Sequence, residues 1–163
     1  MNAHNAQRVG AGKVALGVAQ RAFKEARDYA LNRMQFGRPI AEFQGLQWML
    51  SDMSISLKAS RVLLHDSADG AGDGFPDIMA AAQAKVLASE TTLKVTQDAL
   101  QIHGSMRYSR DLPMERLTRD ARMLTIAGGT AQILRTQVAS AILGIKLPQT
   151  RDGSTKLYDR AAK

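Results

Sequence analysis

The sequence predicts an all-α protein, an antiparallel four-helix bundle with one additional short helix. Three observations lead there. Apolar residues recur at helical spacing through four long segments. Proline occurs only four times in 163 residues, and a 45% hydrophobic share rich in Ala, Leu and Met suits helices. No segment shows the alternation of a half-buried strand. The length fits one domain, able to bury a core without covalent staples.

The first helix is expected from about Asn5 to Gln35, with Ala15, Val18, Ala22, Ala26 and Tyr29 on one face. Gly37 and Pro39 end it, since glycine and proline stop helices. The second runs from about Ala41 to Ala68, with Leu46, Leu50, Met53, Leu57 and Leu64 on one stripe. The loop DGAGDGFPD (Asp69 to Asp77) follows, its Pro76 suited to the first turn of the next helix. A third helix continues to about His103 through Met79, Ala82, Val86, Leu93 and Leu100. A short helix spans Pro113 to about Leu124. The last runs from about Thr130 to Ile145, with Ile133, Val138 and Ile142 inward. The bundle domain is thus residues 1–147. Residues 148–163 lack an apolar stripe and read as a tail that is loose or docks on a partner.

Composition excludes several function classes. There is no cysteine, so thiol chemistry and Cys-ligated metals are absent. His4, His65 and His103 are too dispersed for a metal site. No apolar run approaches the roughly 20 residues that span a bilayer, and the amino terminus lacks a secretory layout. The expectation is a soluble cytoplasmic protein. A net charge of +7 raises the question of nucleic acid. Acids and bases alternate within Arg21–Asp28 and Glu115–Arg122, however, and the 5% aromatics do not interleave with the basic residues. That pattern argues against a nucleic-acid platform and leaves an anionic small molecule as the use for surplus arginine.

Three local patterns carry chemical interest. RMQFGRPI (Arg33 to Ile40) reads as a helix end with a basic last turn, or as a ligand contact. QIHGS (Gln101 to Ser105) reads as a glycine C-cap, or as a backbone cradle. GGTAQ (Gly128 to Gln132) supplies a threonine N-cap, and the same helix-terminal amides suit a polar ligand. Arg135 and the cluster Arg116, Arg119, Asp120 and Arg122 read as ion-paired surface.

These motifs, with RMQFGRPIAEFQ (Arg33 to Gln44), resemble the carboxy-terminal helical domain of the acyl-CoA dehydrogenases, from about Arg8 to Gly144. The resemblance implies an FAD-dependent oxidoreductase that desaturates acyl-CoA thioesters, as a homo-oligomer (dimer or tetramer), with electron-transfer flavoprotein or another acceptor. It implies cofactor contacts from Arg33 and, eleven residues on, Gln44, with Gln35 and Phe36 beside them. Gln101, Ile102, His103, Gly104 and Ser105 would wrap the partner's FAD pyrophosphate, and Thr130 and Gln132 would also touch FAD. Arg107 departs from the family's later glycine. Arg8 and the amide of Gly128 would bind acyl-CoA.

The resemblance also exposes a gap. Family members remove the α proton with a carboxylate, which must be ionised and within hydrogen-bond reach. One family position for it is held here by Gly128 and the other by Gln7. No motif places Glu25, Glu42, Glu90 or Glu115 at the flavin. Three readings stay open: a dehydrogenase with an unusually placed base, a branch with other chemistry such as the acyl-CoA desulfinases, and a non-catalytic assembly module. The family's preceding helical and β domains are not matched, so the chain reads as a domain fragment or one piece of a split enzyme. Alone it is expected to have no turnover.

Overall fold

A computed structural model describes residues 2–107 and 113–147, with the side chains of Asn2, Met106 and Arg107 outside that description. Among the described residues the chain is helical apart from one small hairpin: α1 (Asn2–Asn32), β1 (Met34–Gln35), β2 (Arg38–Pro39), α2 (Gln44–Asp69), α3 (Ile78–His103), α4 (Pro113–Leu124) and α5 (Ala131–Leu143). Short 3-10 turns occupy Ile40–Glu42 and Gly104–Arg107. The expected tail lies outside the described residues. No described helix is long and apolar enough to cross a membrane.

Small residues bring α1 against its neighbours. Ala15, Ala19, Ala22, Ala26 and Ala30 are fully buried along one stripe of α1. A Cβ built on Gly12 would lie 2.6 Å from Leu64 Cδ2 of α2, so glycine permits that approach. Asn5 Nδ2 donates to Pro76 O at 3.1 Å at one end of the bundle. Tyr29 and His103 stack at the other, with ring centroids 4.6 Å apart. Helices α1 and α3 therefore run in the same direction, packed on each other, and α2 runs back against both. Thr118 of α4 reaches Thr96 O of α3 at 3.4 Å, and Lys85 of α3 reaches Gly129 O after α4 at 2.8 Å. Helix α4 thus runs back along α3, and the Arg135–Glu90 pair sends α5 forward beside it.

Local chemistry explains most boundaries. Asp77 caps α3, its Oδ1 accepting from Met79 N at 2.8 Å and Ala80 N at 3.0 Å. Pro76 accordingly sits before the cap, outside the helix, and is buried. Helix α4 has the span expected and buries Met114, Leu117, Ala121 and Leu124, one regular stripe. Thr130 caps α5 through Oγ1, which accepts from Ile133 N at 3.3 Å, and Gly144 closes it at φ +65°.

Four expectations need correction. Helix α1 ends at Asn32 rather than near Gln35, because residues 34–39 pair as an antiparallel hairpin with Gln35 opposite Arg38. Phe36 and Gly37 take φ of +52° and +76°, the two-residue turn that matches strand twist. Helix α2 begins at Gln44, since the 3-10 turn takes up Ile40–Glu42. In α3 the expected stripe is buried only at Ala82, while Met79, Val86, Leu93 and Leu100 are half-buried; the face in the core carries Ala81, Ala84, Lys85, Ala88, Thr92, Val95 and Ala99. Leu93 and Leu100 instead line an open groove of about 460 Å³ against Thr118, Arg119 and Arg122 of α4. In α5, Ile133 and Ile142 are exposed (40% and 69%) and Val138 is half-buried; Ala131 and Leu134 make the inward contact. With thirteen residues, α5 buries one narrow side against α3, and Ile133, Ile142 and Leu143 project outward.

Candidate functional site

The structure sorts the site residues into two groups near opposite ends of α3. Their reference points, Lys85 and His103, are eighteen residues apart, about 27 Å along the helix.

At the carboxy-terminal end of α3 lie Arg33, the hairpin, the start of α2 and the turn after His103. Gly104 closes α3 at φ +63°, ψ −153°, a region essentially reserved for glycine. A Cβ there would meet nothing within 4 Å, so the turn opens outward. Gln101 and Ser105 are exposed, whereas Ile102 and His103 are buried at 6% and 2%. His103 Nδ1 donates to Ala99 O at 2.6 Å. Only the main chain of Ile102 and His103 thus remains to meet a ligand. Arg33, Gln35 and Gln44 are exposed, and no ion pair or side-chain hydrogen bond among the described residues engages them. Phe36 projects from the hairpin tip, 89% exposed. Its ring meets Phe43 edge-on at 6.0 Å, and the Arg38 guanidinium lies 4.4 Å over Phe43. Guanidinium, amide and serine donors beside an outward glycine turn and an exposed ring fit the polar chain and flat ring system of a flavin dinucleotide.

Toward the other end, α1 and the turn before α5 converge. A Cβ on Gly128 would stand 3.9 Å from Ala11 Cβ, one helical turn after Gln7. The two positions where the resemblance expects a carboxylate therefore face one region, and neither holds one. Gln7 Oε1 instead accepts from His4 Nδ1 at 3.1 Å. Arg8 donates from Nη1 to Asn5 Oδ1 at 3.1 Å. Its Nε is buried with no partner among the described residues, and burial lowers its pKa from the usual value. An oriented guanidinium with a spare buried N–H is fitted to receive an anionic or carbonyl oxygen. Gly128 and Gly129 take φ of +71° and +102°, and Thr130 and Gln132 follow at the start of α5. Gln132 is exposed and Thr130 half-buried.

Sequence reasoning missed one residue here. Lys85 is fully buried, and its Nζ donates to Gly129 O at 2.8 Å. Burial lowers its pKa first, the Arg8 charge lowers it further, and Glu90 opposes both. The signal was a single cation on an alanine face, in MAAAQAKVLAS.

Glu90 does not substitute as a base. Its carboxylate grips the Arg135 guanidinium through two bonds of 2.7 Å, and that hydrogen bonding lowers its pKa. A carboxylate held that way is a weak proton acceptor. Glu25 and Glu115 are likewise paired, with Arg21 at 2.6 Å and Arg119 at 3.1 Å. With its folded pKa lowered, Glu90 contributes stability above the ordinary carboxylate range, lost as pH falls through the lowered value. Both side chains are about half exposed, so the pair contributes at most about 1 kcal/mol. Arg135→Met should lower the unfolding midpoint slightly at pH 7, and melts at falling pH should show that difference shrink below the ordinary carboxylate range.

A sequence model described as the acyl-CoA dehydrogenase C-terminal domain matches residues 1–143. A 3-sulfinopropanoyl-CoA desulfinase of Cupriavidus necator is 70% identical over 153 residues, covering 94% of this chain and 38% of its own length. Another, from Advenella mimigardefordensis, is 67% identical over 156 residues, covering 96% of this chain and 39% of its own length. The solved butyryl-CoA dehydrogenase of Megasphaera elsdenii superposes with a TM-score of 0.83 at 35% identity, over 86% of this chain and 37% of that one. The chain therefore spans about two fifths of the length of the curated relatives it matches.

Proposed function

The chain belongs to the acyl-CoA dehydrogenase family as its carboxy-terminal helical domain, and we propose that it serves an FAD-containing homo-oligomer that removes sulfinate from an acyl-CoA. The substrate class is a short CoA thioester with a sulfinate on the β carbon, as in 3-sulfinopropanoyl-CoA. One observation carries the reading: Gln7 and Gly128 face a single region and neither can take an α proton. Desaturation needs such a base. The high identity to two desulfinases supports the same choice.

The overall change breaks the C–S bond. Carbon gains a hydrogen and sulfur gains an oxygen, both from water, so an acyl-CoA and sulfite result with no net electron transfer. An electron-transferring partner, expected for desaturating relatives, is then dispensable. Arg8 would receive the acyl-CoA, with Asn5 holding its guanidinium in place. The Gly128 amide would meet the thioester oxygen, a fixed dipole where negative charge gathers.

FAD would be held by Arg33, Gln35, Phe36, Gln44, Gln101 and Ser105, by the main chain of residues 102–104, and by Thr130 and Gln132. Because these fall into two groups far apart on one chain, each would serve a different cofactor of a dimer. When bound, FAD supplies a two-electron acceptor and a flat surface at the acyl group. The solubility of a CoA ester fits a cytoplasmic site.

The test is sulfite release from 3-sulfinopropanoyl-CoA by the full-length holoenzyme carrying this domain. Stoichiometric sulfite and propanoyl-CoA support the reading, and enoyl-CoA formation from saturated esters without sulfite release refutes it. Arg33→Ala should weaken FAD binding about 10- to 100-fold, the loss of roughly 1.5–3 kcal/mol for a hydrogen bond to a charged group. Fluorescence titration of the apoenzyme with FAD measures this; unchanged affinity removes Arg33 from the site.

A further inference from the structure

We infer that Lys85 is a positioning residue that clamps the Gly128–Gly129 turn through its hydrogen bond to Gly129 O. The inference rests on the reading that this turn and Thr130 touch substrate and cofactor.

A fully buried lysine on an alanine face is costly unless its ammonium has partners. Here Nζ ties α3 to the turn at 2.8 Å, across 44 residues of sequence. The turn needs such a tie. Two successive glycines at positive φ have little intrinsic preference for any one conformation. The amides of Gly128, Gly129 and Thr130 find no acceptor among the described residues, so the main chain's own bonds do not hold them. The bonds that flank the turn lie on either side of its two glycines: Ala127 N on Met123 O at 2.9 Å, Ala131 N on Thr125 O at 3.1 Å and the Thr130 cap of α5, with Leu134 packed below Gly129. Lys85 supplies the missing constraint at the carbonyl beside those amides. The charged groups that bear on it are Arg8 from α1, Glu90 from α3 itself and, through Glu90, Arg135 from α5.

A clamp and a plain core residue predict different results. Methionine matches lysine in length and suits an apolar core, so Lys85→Met should leave the unfolding midpoint of the holoenzyme within a few degrees. Amide exchange in peptides covering 125–134 should nevertheless rise at least tenfold. With 3-sulfinopropanoyl-CoA, kcat should fall at least tenfold while KM changes less than threefold. Lys85→Arg, which keeps a cationic donor, should restore most of the protection and turnover. Unchanged exchange and kcat in Lys85→Met overturn the inference. So does an equal fall of midpoint and activity in both variants, which marks general destabilisation. If the wild type releases no sulfite, the reading of the site fails, and the exchange measurement still decides whether Lys85 holds the turn.

Discussion

Arg8→Met is expected to raise the holoenzyme's KM for its acyl-CoA about 10- to 100-fold with a smaller change in kcat. Arg8 is pre-aimed: Asn5 Oδ1 accepts from Nη1, and Asn5 is itself fixed to Pro76 O across the bundle. The buried Nε has no acceptor within the described residues, and on the proposed reading it donates to the acyl-CoA. A hydrogen bond from a charged donor contributes roughly 1.5–3 kcal/mol, which gives the stated range. Methionine keeps the apolar stem and removes the near cation that lowers the Lys85 pKa, so folding should suffer little. Steady-state kinetics on the purified variant decide this. An unchanged KM would reassign Arg8 to a purely structural contact with Asn5.

Leu134→Ala is expected to cost about 3 kcal/mol of stability, within the 2–5 kcal/mol usual for large-to-small core changes. Leu134 is fully buried, and a Cβ on Gly129 would approach its Cδ2 to 3.3 Å, so this side chain is the floor of the glycine turn. It is also one of only two buried residues anchoring α5. The midpoint should fall by roughly 6–12 °C for a domain of this size. Ile133→Ala on the same helix should cost far less, because Ile133 is 40% exposed. Paired thermal melts check both, and equal losses would mean that α5 packs with its other face.

That contrast also shows how far the chain can be read unaided. Helix α4 was legible to the residue, since Met114, Leu117, Ala121 and Leu124 form a single short stripe bounded by Pro113. Helix α5 was legible in extent and not in face. Ile133, Val138 and Ile142 have the right spacing, but periodicity marks an apolar side without saying whether core or surface receives it. In α3 the buried face is mostly alanine and threonine with one lysine, its larger apolar residues being Val95 and Ile102, so Leu93 and Leu100 drew attention to the groove side. The hairpin at 34–39 escaped because two-residue strands leave no alternation to detect.

The site divides similarly. Arg33, Gln44, Gln101 to Ser105 and Gly128 to Gln132 stand in recognisable local motifs, and Thr130 is the cap its sequence context suggests. The Lys85–Gly129 and Glu90–Arg135 contacts join residues 44 and 45 positions apart, which no local pattern encodes. Expected salt bridging at Arg135 and Arg119 is present, with Glu90 and Glu115 as partners. The absence of a carboxylate at positions 7 and 128 was plain in the sequence. Its weight comes from the structure, where Gly128 lies against Ala11, one helical turn from Gln7, and Glu90 is tied to Arg135.

The most direct test is anaerobic mixing of the full-length holoenzyme with saturating butanoyl-CoA while following flavin absorbance. With no carboxylate at position 7 or 128, the account predicts that the oxidised flavin spectrum persists and no enoyl-CoA forms. Rapid bleaching with stoichiometric enoyl-CoA would show a working base and return the protein to ordinary desaturation.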